Sequence, residues 1–94
     1  MKHWNKESVK DRIRNAVSFD VEFDPSQAGV IWPSHEIENP KARFDDTRGE
    51  WPRFSELGLH RVLMFRGMPC RVCIPYHAIS VIDVIEYVCS KDYG

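Results

Sequence analysis

Several things are missing from this 94-residue chain, and each absence removes a class of function. No apolar run approaches the roughly 20 residues that a membrane-crossing helix requires. The opening stretch Met1-Lys2-His3-Trp4-Asn5-Lys6-Glu7 has no apolar h-region, so no secretory signal is read there. Charge of one sign is not in excess: 13 Lys and Arg face 14 Asp and Glu, for a net −1. Nucleic-acid affinity rests mainly on basic residues neutralising phosphates, so this balance disfavours a nucleic-acid partner. Cysteine is scarce and odd in number: Cys70, Cys73 and Cys89 do not make a disulfide framework. With no signal segment, that usage leads to the expectation of a reducing compartment, the cytoplasm. There is no Gly-rich phosphate loop, no nucleophile elbow, no internal repeat and no low-complexity tract. His3, His35, His60 and His77 are dispersed, so no catalytic constellation forms along the sequence, and neither an enzyme nor a cofactor is expected.

What is present suits one small packed domain spanning 1–94. The chain is 43% apolar and 12% aromatic, against the polar composition of a disordered segment. A domain of this size buries only about 60% of the surface its unfolded chain exposes, so its core is small. Val9, Ile13, Ala16 and Val17 recur at i, i+4, i+7 and i+8, which predicts a helix over 5–17 with one apolar stripe and Asn5 as its N-cap. From Ser18 the period changes to two. Phe19, Val21 and Phe23 alternate with Asp20, Glu22 and Asp24, the pattern of a half-buried strand with a solvated acidic face. Pro25-Ser26-Gln27-Ala28-Gly29 is turn chemistry, and Val30-Ile31-Trp32 resumes an extended run up to Pro33. Between Ser34 and Gly58 the pattern is weak, with one short strand expected near Lys41–Phe44.

The signal sharpens after Gly58. Leu59–Phe65 and Cys70–Ile74 read as the arms of a hairpin turning at Arg66-Gly67-Met68-Pro69. Pro75-Tyr76-His77-Ala78 breaks the chain as a short 3₁₀ turn, and β-branched residues favour a final strand over Ile79–Val88, whose apolar spacing also fits a helix. The fold class is therefore mostly β with one N-terminal helix. On the first hairpin arm, Leu59, Arg61, Leu63 and Phe65 share one face, while His60, Val62 and Met64 share the other. Only one of these faces belongs to the interior of a small barrel. The other leaves Val62 and Met64 in a surface groove or under another element, and exposed apolar patches tend to mark binding sites.

Cys70-x-x-Cys73 invites a metal or redox reading. A zinc site needs a second ligand pair, which His77 and Cys89 supply only if the final segment folds back. A low-pKa redox pair needs a helix N-terminus after the motif, and none is predicted. On a strand, i and i+3 point to opposite faces. The two thiols are read as small buried hydrophobes, and no metal is expected. Asp45-Asp46 and the Asp20, Glu22 and Asp24 series read as solvated charges. Trp51, followed by Pro52, is read as an aromatic folded onto the domain.

The segment Phe65-Arg66-Gly67-Met68-Pro69-Cys70-Arg71-Val72-Cys73-Ile74-Pro75-Tyr76-His77-Ala78-Ile79 resembles the stringent starvation protein B (SspB) family of ClpXP protease adaptors. That family shows a strand ending in Phe, a Gly-x-Pro turn, a strand ending in Ile or Val followed by Pro, and Ala-Val or Ala-Ile entering the last strand. The matching residues are Phe65, Gly67, Pro69, Ile74, Pro75, Ala78 and Ile79. Upstream, Gly29-Val30-Ile31-Trp32-Pro33 is similar to the family's Gly-Val-x-Val-Pro. The element order agrees over roughly residues 8–84, with the match weakest in 34–58. The resemblance implies a small Sm-like β-barrel over 18–88 that dimerises through its N-terminal helix. Val9, Ile13, Ala16 and Val17 would then form the homodimer interface. It also implies a non-catalytic adaptor that holds an extended peptide, the ssrA degradation tag, and delivers the tagged substrate to ClpX. By position, His60, Val62 and Met64 lie on the tag-facing strand, with Val30 and Trp32 along its rim. The family's acidic tail with its ClpX-tethering motif does not appear within these 94 residues, and the groove strand is more apolar than the family's.

Two other readings compete. Sm-like barrels also bind single-stranded RNA, and Arg43, Arg48, Arg53, Arg61, Arg66 and Arg71 with Phe44 and Trp51 would be the stripe and stacking groups. The interspersed Asp45, Asp46, Glu50 and Glu56 oppose that. A purely structural oligomerisation module is the third.

Overall fold

The computed structural model describes residues 3–38 and 40–88. It is mostly β, with one helix near the N-terminus and two three-stranded antiparallel sheets. The helix α1 spans Lys6–Arg12. Six strands follow: β1 Ala16–Phe23, β2 Lys41–Asp45, β3 Arg53–Phe54, β4 Gly58–Phe65, β5 Met68–Pro75 and β6 Ile79–Tyr87. One sheet has the order β2-β1-β6, the other β3-β4-β5. Among the described residues no ladder joins the two sheets into a closed barrel.

The helix starts where expected and ends five residues early. The Asn5 side chain accepts the backbone N–H of Ser8 at 2.8 Å, and Ser8 Oγ accepts that of Asn5 at 2.9 Å, a reciprocal capping box. Asn15 then takes a left-handed φ of 67°, a conformation its short polar side chain tolerates, and the chain enters β1 at Ala16. Ala16 and Val17, expected on the helix, are therefore strand residues. The expected dimer stripe is also corrected. Val9, Ile13 and Ala16 are 0%, 5% and 9% exposed within a single chain, and Val17 is half-buried. A stripe that its own domain covers has no apolar surface left for a second helix.

The central strand β1 departs from simple alternation. It is paired on both edges, and its ladder to β6 is interrupted by register shifts on either side of Ser18 and between Glu22 and Phe23. Ser18, Phe19, Asp20 and Val21 are consequently all buried. Asp20 is not on a solvated face. It lies opposite Arg43 of β2 and accepts Nε–H at 2.6 Å and Nη2–H at 3.0 Å, a bidentate pair that makes its burial tolerable. Glu22 and Asp24 are exposed, as the alternation predicts. Asp24 holds the following turn by accepting from Ser26 N–H, Ser26 Oγ–H and Gln27 Nε2–H, and the Ser26 hydroxyl bond leads in keeping its carboxyl below the usual range.

The core lies between the sheets and is centred on Phe19, Val21, Phe44, Leu59 and Ile74, with Val9 of α1 sealing one end. Aromatic rings fill its flanks. Trp32 stands edge-on to both Phe23 and Phe65, at 4.9 and 5.1 Å, and Trp51 stands edge-on to Phe19 at 5.2 Å. The hairpin forms as the sequence predicts, slightly longer at each end. Arg66 and Gly67 both have positive φ, 53° and 80°, which a two-residue turn of the type I′ class requires. The segment 79–88 is a strand over Ile79–Tyr87, which decides against the helical alternative. Among the described residues, no helix is long and apolar enough to cross a membrane.

Candidate functional site

The two-residue turn fixes which way every group on β4 points. Phe65 pairs with Met68, and the ladder runs back through Leu63–Cys70 and Arg61–Val72 to Leu59–Ile74. Leu59 and Leu63 face the core at 0% and 5% exposure, so His60, Val62 and Met64 face out. Val62 is 51% exposed and Met64 57%. Across the ladder on the same outer face lie Cys73 beside His60, Arg71 beside Val62 and Pro69 beside Met64. Beyond β5, Ile31 adds a one-residue antiparallel bridge to Cys73, with backbone bonds of 2.9 and 3.0 Å in both directions.

A groove of about 450 Å³ crosses this face. Its apolar surface comes from Ile31, Val62 and Cys73, with Arg53, Arg61, Arg71 and His60 also lining it; Val72 adjoins it but is buried in the core. Among the described residues no carboxylate lines it. Among the described residues, none of these three arginines has a salt-bridge partner; Arg61 hydrogen-bonds the Gly49 carbonyl through Nη2. The site is therefore an apolar strip flanked by uncompensated positive charge.

The sequence-predicted residues divide. His60 and Val62 line the groove, while Met64 lies further along β4 beside a second cleft. Val30 and Trp32 line neither and pack against the core instead. Trp32 donates its indole N–H to the Glu36 carbonyl at 2.8 Å between two phenylalanines, so it is a core plug and not a rim residue. The groove residue of that segment is Ile31, 47% exposed. Strand alternation carries the signal that was missed: neighbours in an extended run face opposite sides, so Val30 and Trp32 could not share the face of Ile31. Arg53, Arg61 and Arg71 were noted only as members of a nucleic-acid stripe; the structure gathers them on one groove. The stacking groups of that stripe are not available, since Phe44 is fully buried and Trp51 is half-buried against Phe19.

His60 is held by its neighbours. Ser55 Oγ accepts backbone N–H groups from Leu57 at 3.1 Å and Gly58 at 3.2 Å, and lies 2.7 Å from His60 Nε2. The hydroxyl also lies 3.3 Å from the Gly58 carbonyl, a second acceptor for its hydrogen, so the ring and the hydroxyl can bond in either tautomer of His60. Ser55 thus serves to fix a turn and orient an imidazole. Cys73 is half-buried in the groove, not in the core, and burial pushes its thiol up despite the nearby Arg71, so it remains protonated at neutral pH. Cys70 points to the other face from Cys73, as their strand spacing predicts. Among the described residues no group of three His, Cys, Asp or Glu side chains is placed to hold a metal ion, and Cys89 lies outside the described residues.

Family models, curated proteins and solved structures each give no match to this chain.

Proposed function

We propose that the domain is a non-catalytic adaptor that binds an extended peptide across the outer face of β3, β4 and β5, a degradation tag of the ssrA type being the candidate ligand. One observation carries the reading. The strand that by position matches the tag-facing strand of ClpXP adaptors holds Val62 exposed in a groove with three arginines that, among the described residues, have no carboxylate partner. A peptide side chain laid on Val62 and Ile31 would remove apolar surface from water, while Arg53 and Arg71 would meet carboxylates along the same peptide. On this reading the two sheets are the halves of an Sm-like barrel, and substrate delivery to ClpX follows from peptide capture. Homodimerisation, if it serves delivery, uses a surface other than the stripe of Val9, Ile13 and Ala16.

Calorimetric titration of the purified domain with an ssrA-type tag peptide tests the proposal, with a scrambled peptide as control. Binding of the tag that Val62→Glu weakens at least tenfold, with the melting temperature unchanged, is the expected result. Equal binding of the scrambled peptide, or none of either, refutes it.

A further inference from the structure

Strand pairing leaves two open edges facing one cleft. β3 pairs with β4 only at Arg53–His60 and Phe54–Leu59. Since Leu59, Arg61, Leu63 and Phe65 direct their backbone groups at β5, the N–H and C=O of Val62 and Met64 point the other way. Among the described residues no strand meets them there. The opposite wall is the outer edge of β2. The bond from Phe23 N–H to the Pro40 carbonyl, 3.2 Å, sets the ladder phase, so Ala42 and Phe44 bond to β1 while Lys41, Arg43 and Asp45 face outward. Asp45 finds the Glu50 N–H at 3.0 Å; Lys41 and Arg43 are left. Between these edges lies a cleft of about 400 Å³ with Leu63, Met64 and Phe65 on one side and Lys41, Arg43 and Arg48 on the other. Among the described residues Glu50 is the one acid that lines it, and Arg43 is already shared with Asp20.

We infer that the ligand binds as an added strand between β2 and β4, pairing with both edges and joining the two sheets, and that it is an acidic segment alternating with apolar residues. This rests on the peptide-binding reading above and concerns a further stretch of the same ligand, because the cleft lies at the edge of β4 and not on the outer face that carries Ile31, Arg53 and Arg71. Two open edges facing one cleft call for a β-strand as occupant, because only an extended backbone presents donors and acceptors at that repeat on both sides. The period of two then sorts its side chains between the two faces, with apolar ones on the core face beside Leu63 and Ala42 and carboxylates on the outer face beside Lys41 and Arg48.

Amide hydrogen exchange on the intact domain tests this with three synthetic probes: an acetylated, amidated heptapeptide of alternating Glu and Val, its Lys–Val counterpart, and a Glu–Pro counterpart lacking the amides a strand needs. The Glu–Val peptide is expected to slow exchange at Val62, Met64, Lys41 and Arg43 at least tenfold, and the other two are expected not to. The double variant Lys41→Glu with Arg48→Glu, both exposed, should lose at least tenfold in Glu–Val affinity with an unchanged melting temperature. Peptide binding that leaves the Val62 and Met64 amides unprotected overturns the inference and leaves the peptide reading standing. Equal protection by the Lys–Val peptide overturns the charge preference. Protection that rises with protein concentration in the absence of peptide would place a second copy in the cleft and overturn it as well. No binding by the three probes or by an ssrA-type tag ends the peptide reading itself, and the inference with it.

Discussion

Asp20 occupies the middle of the central strand with 4% of its surface exposed, and its tolerance there depends on one neighbour. Arg43 supplies two charge-assisted bonds from across the β1–β2 ladder while its own side chain stays 56% exposed. Removing the carboxylate takes away a buried charge; removing the arginine strands one. Arg43→Met is therefore expected to cost about 1.5–3 kcal/mol, the range for hydrogen bonds to charged groups, and more than Asp20→Asn does. Urea denaturation at neutral pH measures both, and equal losses would contradict the asymmetry. Met64 presents the opposite situation. At 57% exposure it contributes little to the core, so Met64→Glu should shift stability by no more than about 0.5 kcal/mol. The same substitution places a carboxylate on the outer face, where it would repel an acidic ligand. Tag affinity should fall about tenfold, the equivalent of 1.4 kcal/mol, in titrations run beside a thermal melt.

At the scale of elements, legibility followed periodicity. The hairpin was readable because its two arms alternate cleanly and Arg66-Gly67 supplies the positive φ that closes them. The helix was half readable: the capping box at Asn5 announced its start, but the apolar residues Ala16 and Val17 continue the i, i+3, i+4 spacing across a boundary that Asn15 imposes through its backbone. Within residues 34–58 only the short strand expected near Lys41–Phe44 was readable, and it forms as β2 Lys41–Asp45; the other residues were not. Their order comes from two 3₁₀ turns and a two-residue strand whose contacts are made in three dimensions, such as Trp51 on Phe19 and Tyr76 Oη–H donating to the Ser55 carbonyl at 2.6 Å. The groove was half readable: His60 and Val62 follow from alternation along β4, while Ile31 reaches it through one bridge to Cys73. Two substitutions test the element assignments. Ile13→Asp places a charge at a site 5% exposed in the single chain, so it should unfold the domain and not merely change its association state. A folded Ile13→Asp monomer, by light scattering and circular dichroism, would restore the dimer stripe. Gly58→Ala would set a Cβ 2.2 Å from the Ile74 carbonyl oxygen, backbone against backbone where neither strand yields easily. A loss of several kcal/mol or failure to fold is expected by chemical denaturation, as for other severe overpacking of a core.

Across the whole molecule the net charge is −1, yet among the described residues the groove is lined by Arg53, Arg61 and Arg71 and by no carboxylate. The acids therefore sit elsewhere, on β6, on the exposed face of α1 and in the turns at Asp24 and Asp45–Asp46. A chain with this distribution would not gather anions by its overall field, but it presents a local one where the apolar strip runs. The consequence is a particular salt dependence. The Debye length shrinks from about 10 Å at 0.1 M salt to about 3 Å at 1 M, which screens the exposed Arg53 and Arg71 while leaving burial on Val62 and Ile31 intact. Affinity for an acidic tag should fall several-fold over that range and then level off, because the apolar share of binding does not depend on screening. Arg71→Gln should weaken binding at low salt and flatten the slope without changing the high-salt plateau. Titrations of both proteins across the salt series measure this directly. A slope that Arg71→Gln leaves unchanged would place the ligand's charges away from the groove, and affinity that rises with salt would mean that apolar contact alone governs binding.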